Sequence, residues 1–389
     1  MTRTPAPLLS DDPDPDADWS LPAWTYRDAE YFEAELERVL RPSWQIVCHS
    51  SDIADIGSYH TLDFLGEQIL VIRGADQSIR AFLNVCRHRG SRLLEAGSGC
   101  TQRLVCPYHA WVYGLDGRLL AVPHSQDYPA LDIASTALHP VELESWHGFI
   151  FVRLAPGGPS VSEMMQPFEA EIAHYRLEDL QAFGRVTLRP RPVNWKNIAD
   201  NYSDGLHIRV AHPGLTRLFG NSYGVEATPY ADRMWGFLRD EPSRNMSERL
   251  YQRILPQVPH LPAGAQRKWL YFKLWPNFAF DIYPDQIDFM QFIPLSPGHT
   301  LIREIAYGLP DARREMRAAR YLNWRINRQV NAEDTLLIRN VQSGMASQIF
   351  SVGPLSREEV CLRQFARRIR HVIPESRLRQ PPAPGWSRR

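Results

Sequence analysis

The spacing of apolar side chains changes twice along this chain. Over Asp28-Ala-Glu-Tyr-Phe-Glu-Ala-Glu-Leu-Glu-Arg-Val-Leu they recur at helical intervals, which predicts an amphipathic helix capped by Asp28 and ended before Pro42. From about Trp44 the runs shorten. Gln68-Ile-Leu-Val-Ile-Arg and Ile79-Arg-Ala-Phe-Leu-Asn-Val flank the turn-like Gly74-Ala-Asp-Gln-Ser and predict a hairpin. Leu104-Val-Cys, Trp111-Val-Tyr and Arg118-Leu-Leu continue the short strands, with Asp116-Gly117 as a two-residue turn. The series closes on Gly148-Phe-Ile-Phe-Val-Arg-Leu, ahead of the linker-like Ala155-Pro-Gly-Gly-Pro-Ser. Beyond it, strands at Thr187-Leu-Arg-Pro, Trp269–Trp275 and Asp288–Ile293 mix with a long helical stretch from about Ala312 to Val341. The predicted organisation is α+β. An N-terminal tail and helix (1–44) pack on the second domain, a small antiparallel β domain spans 45–155, and an α+β domain with a central antiparallel sheet spans 156–380. Residues 1–20 and the tail from Pro381 read as unstructured.

A length of 389 residues fits two domains and a sizeable core. Acidic and basic residues balance at 44 each, so no global field favours nucleic acid or an anionic membrane. The basic residues are nearly all Arg, with Lys only at Lys196, Lys268 and Lys273, a feature of genome composition. No apolar run approaches a membrane span, and the Pro- and Asp-rich start lacks the regions of a signal peptide. Five cysteines show no disulfide framework, so a reduced, cytoplasmic protein is expected.

Two of those cysteines carry the main chemical signal. Cys86-Arg87-His88 and Cys106-Pro107-Tyr108-His109 put two thiols and two imidazoles into two short loops. A structural zinc site also takes Cys₂His₂, but zinc modules usually group the two Cys in one hairpin and the two His in a helix. One Cys and one His per loop suits a two-iron centre in which two His replace two Cys, with a potential of about −150 to +300 mV. With their flanks Arg89-Gly90 and Ala110-Trp111, the loops resemble those of Rieske domains. That resemblance implies that Cys86 and Cys106 bind one iron of a [2Fe–2S] cluster, and His88 and His109 the other.

Downstream, Asn194-Trp-Lys precedes Asp204, His207 and His212. On an ideal helix the two His would point about 140° apart, so they can share an ion only where the helix ends or deforms; Ile208, Val210 and Pro213-Gly214 favour such a break. Two imidazoles with a carboxylate suit mononuclear Fe(II) that activates dioxygen. The two features together resemble the catalytic alpha subunit of Rieske non-haem iron oxygenases, from the N-terminal helix to about residue 370, and imply a helix-grip-like second domain. By that resemblance Asp204 is not a ligand but the bridge that relays electrons between a neighbouring subunit's cluster and the iron. The third ligand is then Asp334, in Asn331-Ala-Glu-Asp-Thr-Leu…Gln342-Ser-Gly344, with Glu333 as its rival; adjacent helical residues point about 100° apart, so only one can face the ion.

The resemblance also implies O₂ and a small organic substrate, an NAD(P)H reductase with or without a ferredoxin, and a head-to-tail homotrimer with a small β subunit as an optional addition. No Gly-x-Gly-x-x-Gly follows a strand, so nicotinamide is expected to bind elsewhere. The favoured activity is hydroxylation of an aromatic compound. Oxidative N-demethylation or monooxygenation of an amine or betaine is the alternative, because the loop flanks and the Asp334 segment also resemble betaine-type monooxygenases. Those often carry Glu at the bridging position, and Asp204 favours the former. Phe219, Trp235, Phe237, Trp275, Phe278, Phe280, Tyr283, Phe289 and Phe292 are the candidate pocket aromatics, suited to a planar apolar substrate or a cationic amine, with core packing expected for most of them; no basic cluster announces a carboxylate-bearing substrate, although Arg217, Arg233 and Arg239 could meet one. His124, His139, His147 and His299 read as structural, Cys48-His49 as part of a core strand, and Asp281, Asp285 and Asp288 as a strand–turn–strand.

Overall fold

The computed structural model describes residues 14–388. The chain divides into two compact units: Arg41–Pro156 with Leu177–Gln181, and the remainder, in which the residues up to Leu40 join the C-terminal part. The junction is thus not a single cut at the Pro/Gly stretch, because a short segment returns to the smaller unit.

The smaller unit is all antiparallel β. Gln45–His49 pairs with Phe149–Arg153, and that strand with Glu142–Trp146. A four-stranded sheet runs Ile79–Leu83, Glu67–Arg73, Ser58–Phe64, Ser98–Cys100. The hairpin of its first two strands closes with the Gly74 N–H donating to the Ser78 carbonyl at 2.8 Å. A third sheet joins Leu104–Val105, Val112–Tyr113 and Leu119–Ala121. The turn before its last strand needs glycine twice over: Gly117 has φ +82°, and a Cβ there would lie 2.5 Å from the Phe82 ring. One core spans the last two sheets, with Leu70, Ile72, Phe82, Leu104, Trp111, Tyr113 and Leu119 packed around Cys86 and Cys106. Cys48 and His49 are buried in their strand, as expected of a core position.

In the larger unit the Asp28 carboxylate caps the helix Ala29–Glu35 by accepting from the Tyr31 N–H at 2.7 Å. The sheet runs Thr187–Arg191, His299–Gly308, Ile287–Ser296, Phe278–Ile282, Lys268–Leu274, Ala231–Phe237, Gly224–Ala227, every pair antiparallel. Against one face lie the helices Trp195–Ser203, Arg314–Gly344 and Val360–Val372, sharing a core of Trp24, Tyr31, Trp195, Ile198, Phe292, Ile302, Ile338 and Phe365. Gln342 Oε1 accepts from the Asn194 N–H at 2.7 Å and from Asn197 Nδ2 at 2.8 Å, pinning the end of the long helix to the start of the Trp195–Ser203 helix.

Two expectations of disorder are corrected. Residues 1–13 lie outside the described residues, but Asp14 pairs with Arg370 and Arg377, and Ser20 exchanges hydrogen bonds with Gly353. At the other end Trp386 joins the core beside Tyr31, and Glu30 accepts from the N–H groups of Gly385 and Ser387. A buried aromatic and paired backbone groups hold segments whose Pro content suggested no structure.

Candidate metal centres and substrate cavity

The two Cys–His loops share one backbone design. The Cys86 N–H donates to the Ser91 carbonyl and the Gly90 N–H returns to the Cys86 carbonyl; the Cys106 N–H donates to Trp111, and Ala110 returns to Cys106. Both loops turn through left-handed backbone at the same step, Gly90 with φ +71° and Ala110 with φ +54°. The matched turns bring the His88 and His109 rings to 4.6 Å between centroids, and Trp111 stacks on His88 at 4.9 Å.

Both cysteines are 2% exposed and free, and the buried Nδ1 atoms of His88 and His109 have no hydrogen-bond partner. Buried donors and acceptors are rarely left bare, so two orphaned ring nitrogens beside two thiols fit a metal cluster. The electrostatics agree. Burial, His109 and Arg89 hold His88 below its usual pKa, in the neutral form that ligates. Burial opposes the Cys106 thiolate, but the N–H groups of His109 and Tyr108 outweigh it and pull its pKa down. The Tyr113 hydroxyl lies 3.4 Å from Cys86 Sγ and accepts from the Arg87 N–H at 3.0 Å.

In the larger unit the Trp195–Ser203 helix stops at Asp204, whose backbone turns extended at ψ 122°. Asp204 then organises the loop: Oδ1 accepts from the Leu206 N–H at 2.8 Å, and Oδ2 lies 3.1 Å from His207 Nδ1. One helical turn, Ile208–Ala211, follows, and His212 leaves helical geometry at ψ 77° before Pro213 starts the next helix. His207 and His212 therefore bracket a single turn, which resolves the 140° problem. Their Nε2 atoms lie 3.1 Å apart. Asp334 Oδ1, from the long helix, lies 3.0 Å from His212 Nε2 and 3.6 Å from His207 Nε2.

These three donor atoms all fall within 4.8 Å of one another, in a group that could hold a metal ion. Ligands about 2.1 Å from one ion at right angles would be about 3 Å apart, so the spacing fits. Burial opposes charge on His207, yet Asp204 and Asp334 raise it to about 9, while the two imidazoles outweigh burial at Asp334 and lower it to about 2. As bare protein the site keeps a proton on His207, paired with the Asp204 and Asp334 carboxylates, and a metal ion would replace it.

Glu333 does not face the centre. Its Oε2 meets His212 Nδ1 at 2.8 Å, on the far side of the ring from Asp334. Asn201, absent from the sequence-derived set, donates to Asp334 Oδ1 at 2.8 Å. It lies six residues before His207, but no motif marked it.

The triad opens into a cavity of about 120 Å³ lined by Asn201, Tyr202, Tyr223, Tyr271, Asp281, Asp288, Met290, Ile302, Glu304 and Arg191, among others. None of the nine expected aromatics lines it. Strand alternation is the reason for Phe280 and Phe289, which align on the face opposite to that of the register partners Tyr271, Asp281 and Asp288, whereas Phe292 and Tyr283 are taken up in core packing. The expected arginines are engaged elsewhere, Arg217 with Glu248, Arg233 with Glu171 and Glu226, and Arg239 with Glu241.

Comparison with known proteins agrees with these centres. Residues 43–137 match the Rieske [2Fe-2S] domain, and 177–375 the ring hydroxylating alpha subunit (catalytic domain). The chain is 34% identical over 272 residues to the carnitine monooxygenase oxygenase subunit of Escherichia coli K12, covering 69% of each. It is also 34% identical over 204 residues to the glycine betaine monooxygenase oxygenase subunit of Pseudomonas aeruginosa PAO1, covering 52% of this chain and 47% of that one. The structure of the quaternary ammonium Rieske monooxygenase CntA with L-carnitine superposes with a TM-score of 0.76 at 25% identity, over 93% of this chain and 99% of that one. Naphthalene 1,2-dioxygenase from Rhodococcus sp. shares the fold, with a TM-score of 0.73 at 21% identity over 92% and 95% of the two chains. This chain belongs to the Rieske oxygenase alpha subunits, with a [2Fe–2S] Rieske domain and a catalytic domain for mononuclear iron.

Proposed function

We propose that this oxygenase acts on a cationic amine, a quaternary ammonium or other N-methylated compound, and that it is a monooxygenase. The observation that carries the reading is the facing pair of carboxyls in the cavity, Asp281 and Asp288, in place of the apolar aromatic faces that a ring substrate favours; Glu304 is paired with Arg189, and Arg191 also lines the cavity. Tyr202, Tyr223 and Tyr271 add ring faces suited to cation–π contact. The carnitine and glycine betaine enzymes among the relatives support the same substrate class. Only the Asp204 position favoured ring hydroxylation, and the relatives outweigh it, so the amine alternative takes precedence.

Cys86, His88, Cys106 and His109 would hold the cluster, and His207, His212 and Asp334 the iron, which supplies O₂ activation when bound. Asp204 would fix His207 through Nδ1 and pass electrons from a neighbouring cluster, which calls for a head-to-tail ring, here a homotrimer. In the overall reaction one atom of O₂ enters a C–H bond beside nitrogen. The other leaves as water with two protons and two electrons from the reductase. The carbinolamine formed from an N-methyl group breaks its C–N bond, releasing formaldehyde and the demethylated amine. The chain's own residues orient the amine and keep the imidazole tautomers fixed.

The test is turnover of iron-loaded protein with a generic reductase, NADH and a panel of betaines, methylated amines and aromatic compounds. Aldehyde release from the amines with one O₂ consumed per turnover is expected. Hydroxylation of the aromatics with no reaction of the amines would overturn the reading.

A further inference from the structure

We propose that Asp281 and Asp288 form a cation-binding subsite in the cavity and determine specificity by taking the positively charged nitrogen of the substrate. This rests on the reading above and goes on to name the residues that select the charge.

The two aspartates are direct register partners on neighbouring strands and point to one face. Opposed side chains in such pairs have Cβ atoms about 4.5–5.5 Å apart, and like charges there are destabilising. Neutral donors and the more distant Arg189 offset this only in part. Among the described residues neither carboxylate joins an ion pair: Asp281 accepts from the hydroxyls of Tyr202 and Tyr283, and both oxygens of Asp288 lie 3.1 Å from Gln286 Nε2. The guanidinium that acts on both, Arg189, is paired with Glu304.

A second observation places the pair where a ligand can reach it: Asp281 and Asp288 line the cavity that also holds His207, His212 and Asp334. A carboxyl retained only to receive tyrosine hydroxyls could be an amide at no cost. Two facing carboxyls without a counter-ion make sense beside a cation that arrives with the ligand.

The groups around the pair are Tyr202 on the helix, Tyr271 and Tyr283 on the sheet, Asp285 on the turn, and Arg189 at longer range. Burial raises both carboxyls, Asp281 to about 6, and an entering cation, which favours the charged form, shifts the pair toward proton release.

The experiment is calorimetric binding to the full-length, cluster-loaded protein under anaerobic conditions, comparing choline with its neutral isostere 3,3-dimethylbutan-1-ol. Titrations in two buffers of different ionisation enthalpy measure proton release. Wild type is expected to prefer choline by at least about tenfold and to release protons on binding it. Asp281→Asn and Asp288→Asn should each remove most of that preference, with the cluster absorbance unchanged. Ethanolamine in place of choline tells whether an N–H donor adds to the charge. Equal binding of choline and the isostere by wild type would overturn the subsite, as would a preference that survives both substitutions. If a variant fails to fold, the wild-type comparison and its proton release still decide. Selective cation binding without amine oxidation would sink the proposed reaction and leave the subsite standing; amine oxidation without charge selectivity would do the reverse.

Discussion

Glu333 Oε2 sits 2.8 Å from His212 Nδ1, while Asp334, the next residue, places Oδ1 3.0 Å from Nε2 of the same ring. Two neighbours on one helix thus grip opposite ends of one imidazole, the 100° step of the helix carrying one carboxylate to each side. With Asp204 on His207 Nδ1, both proposed ligand histidines have the outer nitrogen tied to a carboxylate and the inner one free for an ion. Such partners fix the tautomer and raise ligand basicity, and their loss typically costs about 10–100-fold in metal affinity. Glu333→Gln is accordingly expected to weaken iron binding by that factor in a chelator competition, with the cluster spectrum intact. Asp334→Ala should leave iron near background even at saturating metal. Equal retention of iron by both variants would reverse the assignment.

Asp204 has two tasks that one substitution separates. Asn keeps an oxygen for the Leu206 N–H but removes the charge facing His207. Asp204→Asn should therefore fold and, with iron supplied at saturation, load both centres, yet oxidise its reduced cluster at least about tenfold more slowly in single-turnover stopped flow with substrate present. A normal rate would remove Asp204 from the electron path.

The metal donors were legible because their spacing is local. A Cys and a His within four residues, twice, and a His pair five apart with a proline behind it can be read along the chain. Asp334 was reachable only through a resemblance, since nothing local shows that a helix more than a hundred residues away passes beside His207. Asn201 and the role of Glu333 depend on the same long-range approach. The cavity failed differently. Alternation along Phe278–Ile282 and Ile287–Ser296 shows which residues share a face, but only the pairing with the helices shows which face lines the cavity. Core packing, the expectation for most of the aromatics, holds for Phe280 and Phe289 on the opposite face and also for Phe292, which shares the face of Asp288 but packs among the helices. Gly90 and Ala110 show a further limit: both loops need left-handed backbone, and only one carries the residue that advertises it.

The Tyr113 hydroxyl at Cys86 Sγ bears on the cluster's potential. A donor to a ligand sulfur favours the reduced, more negative state. A hydrogen bond to a charged group is worth about 1.5–3 kcal/mol, which corresponds to about 60–130 mV for one electron. Tyr113→Phe is expected to lower the midpoint potential within that range in a redox titration followed by EPR. An unchanged potential would mean that the hydroxyl serves the Arg87 N–H alone.

Asp281 carries a conflict between stability and binding that pH can expose. Burial pushes its pKa up to about 6, with Tyr202, Tyr283 and Arg189 only partly opposing. Its unfolded value is near 3.9, so the folded state takes up the proton more readily. The sign follows: the neutral acid is tolerated below about pH 4, and stability is lost as pH rises from there through 6, by about 3 kcal/mol once ionisation is complete. Asp281→Asn escapes that cost. In the absence of ligand it should melt at a higher temperature than wild type at pH 8, with the gap closing toward pH 4. Choline binding should show the opposite trend, with wild-type affinity falling as pH drops through 6 and the variant staying weak throughout. A carboxyl kept for packing would behave otherwise, since Asn would then cost stability at pH 8 and leave binding unchanged. A residue that destabilises the empty protein and strengthens the occupied one is what a charge-selecting subsite requires, and thermal melts with and without choline at the two pH values separate the cases.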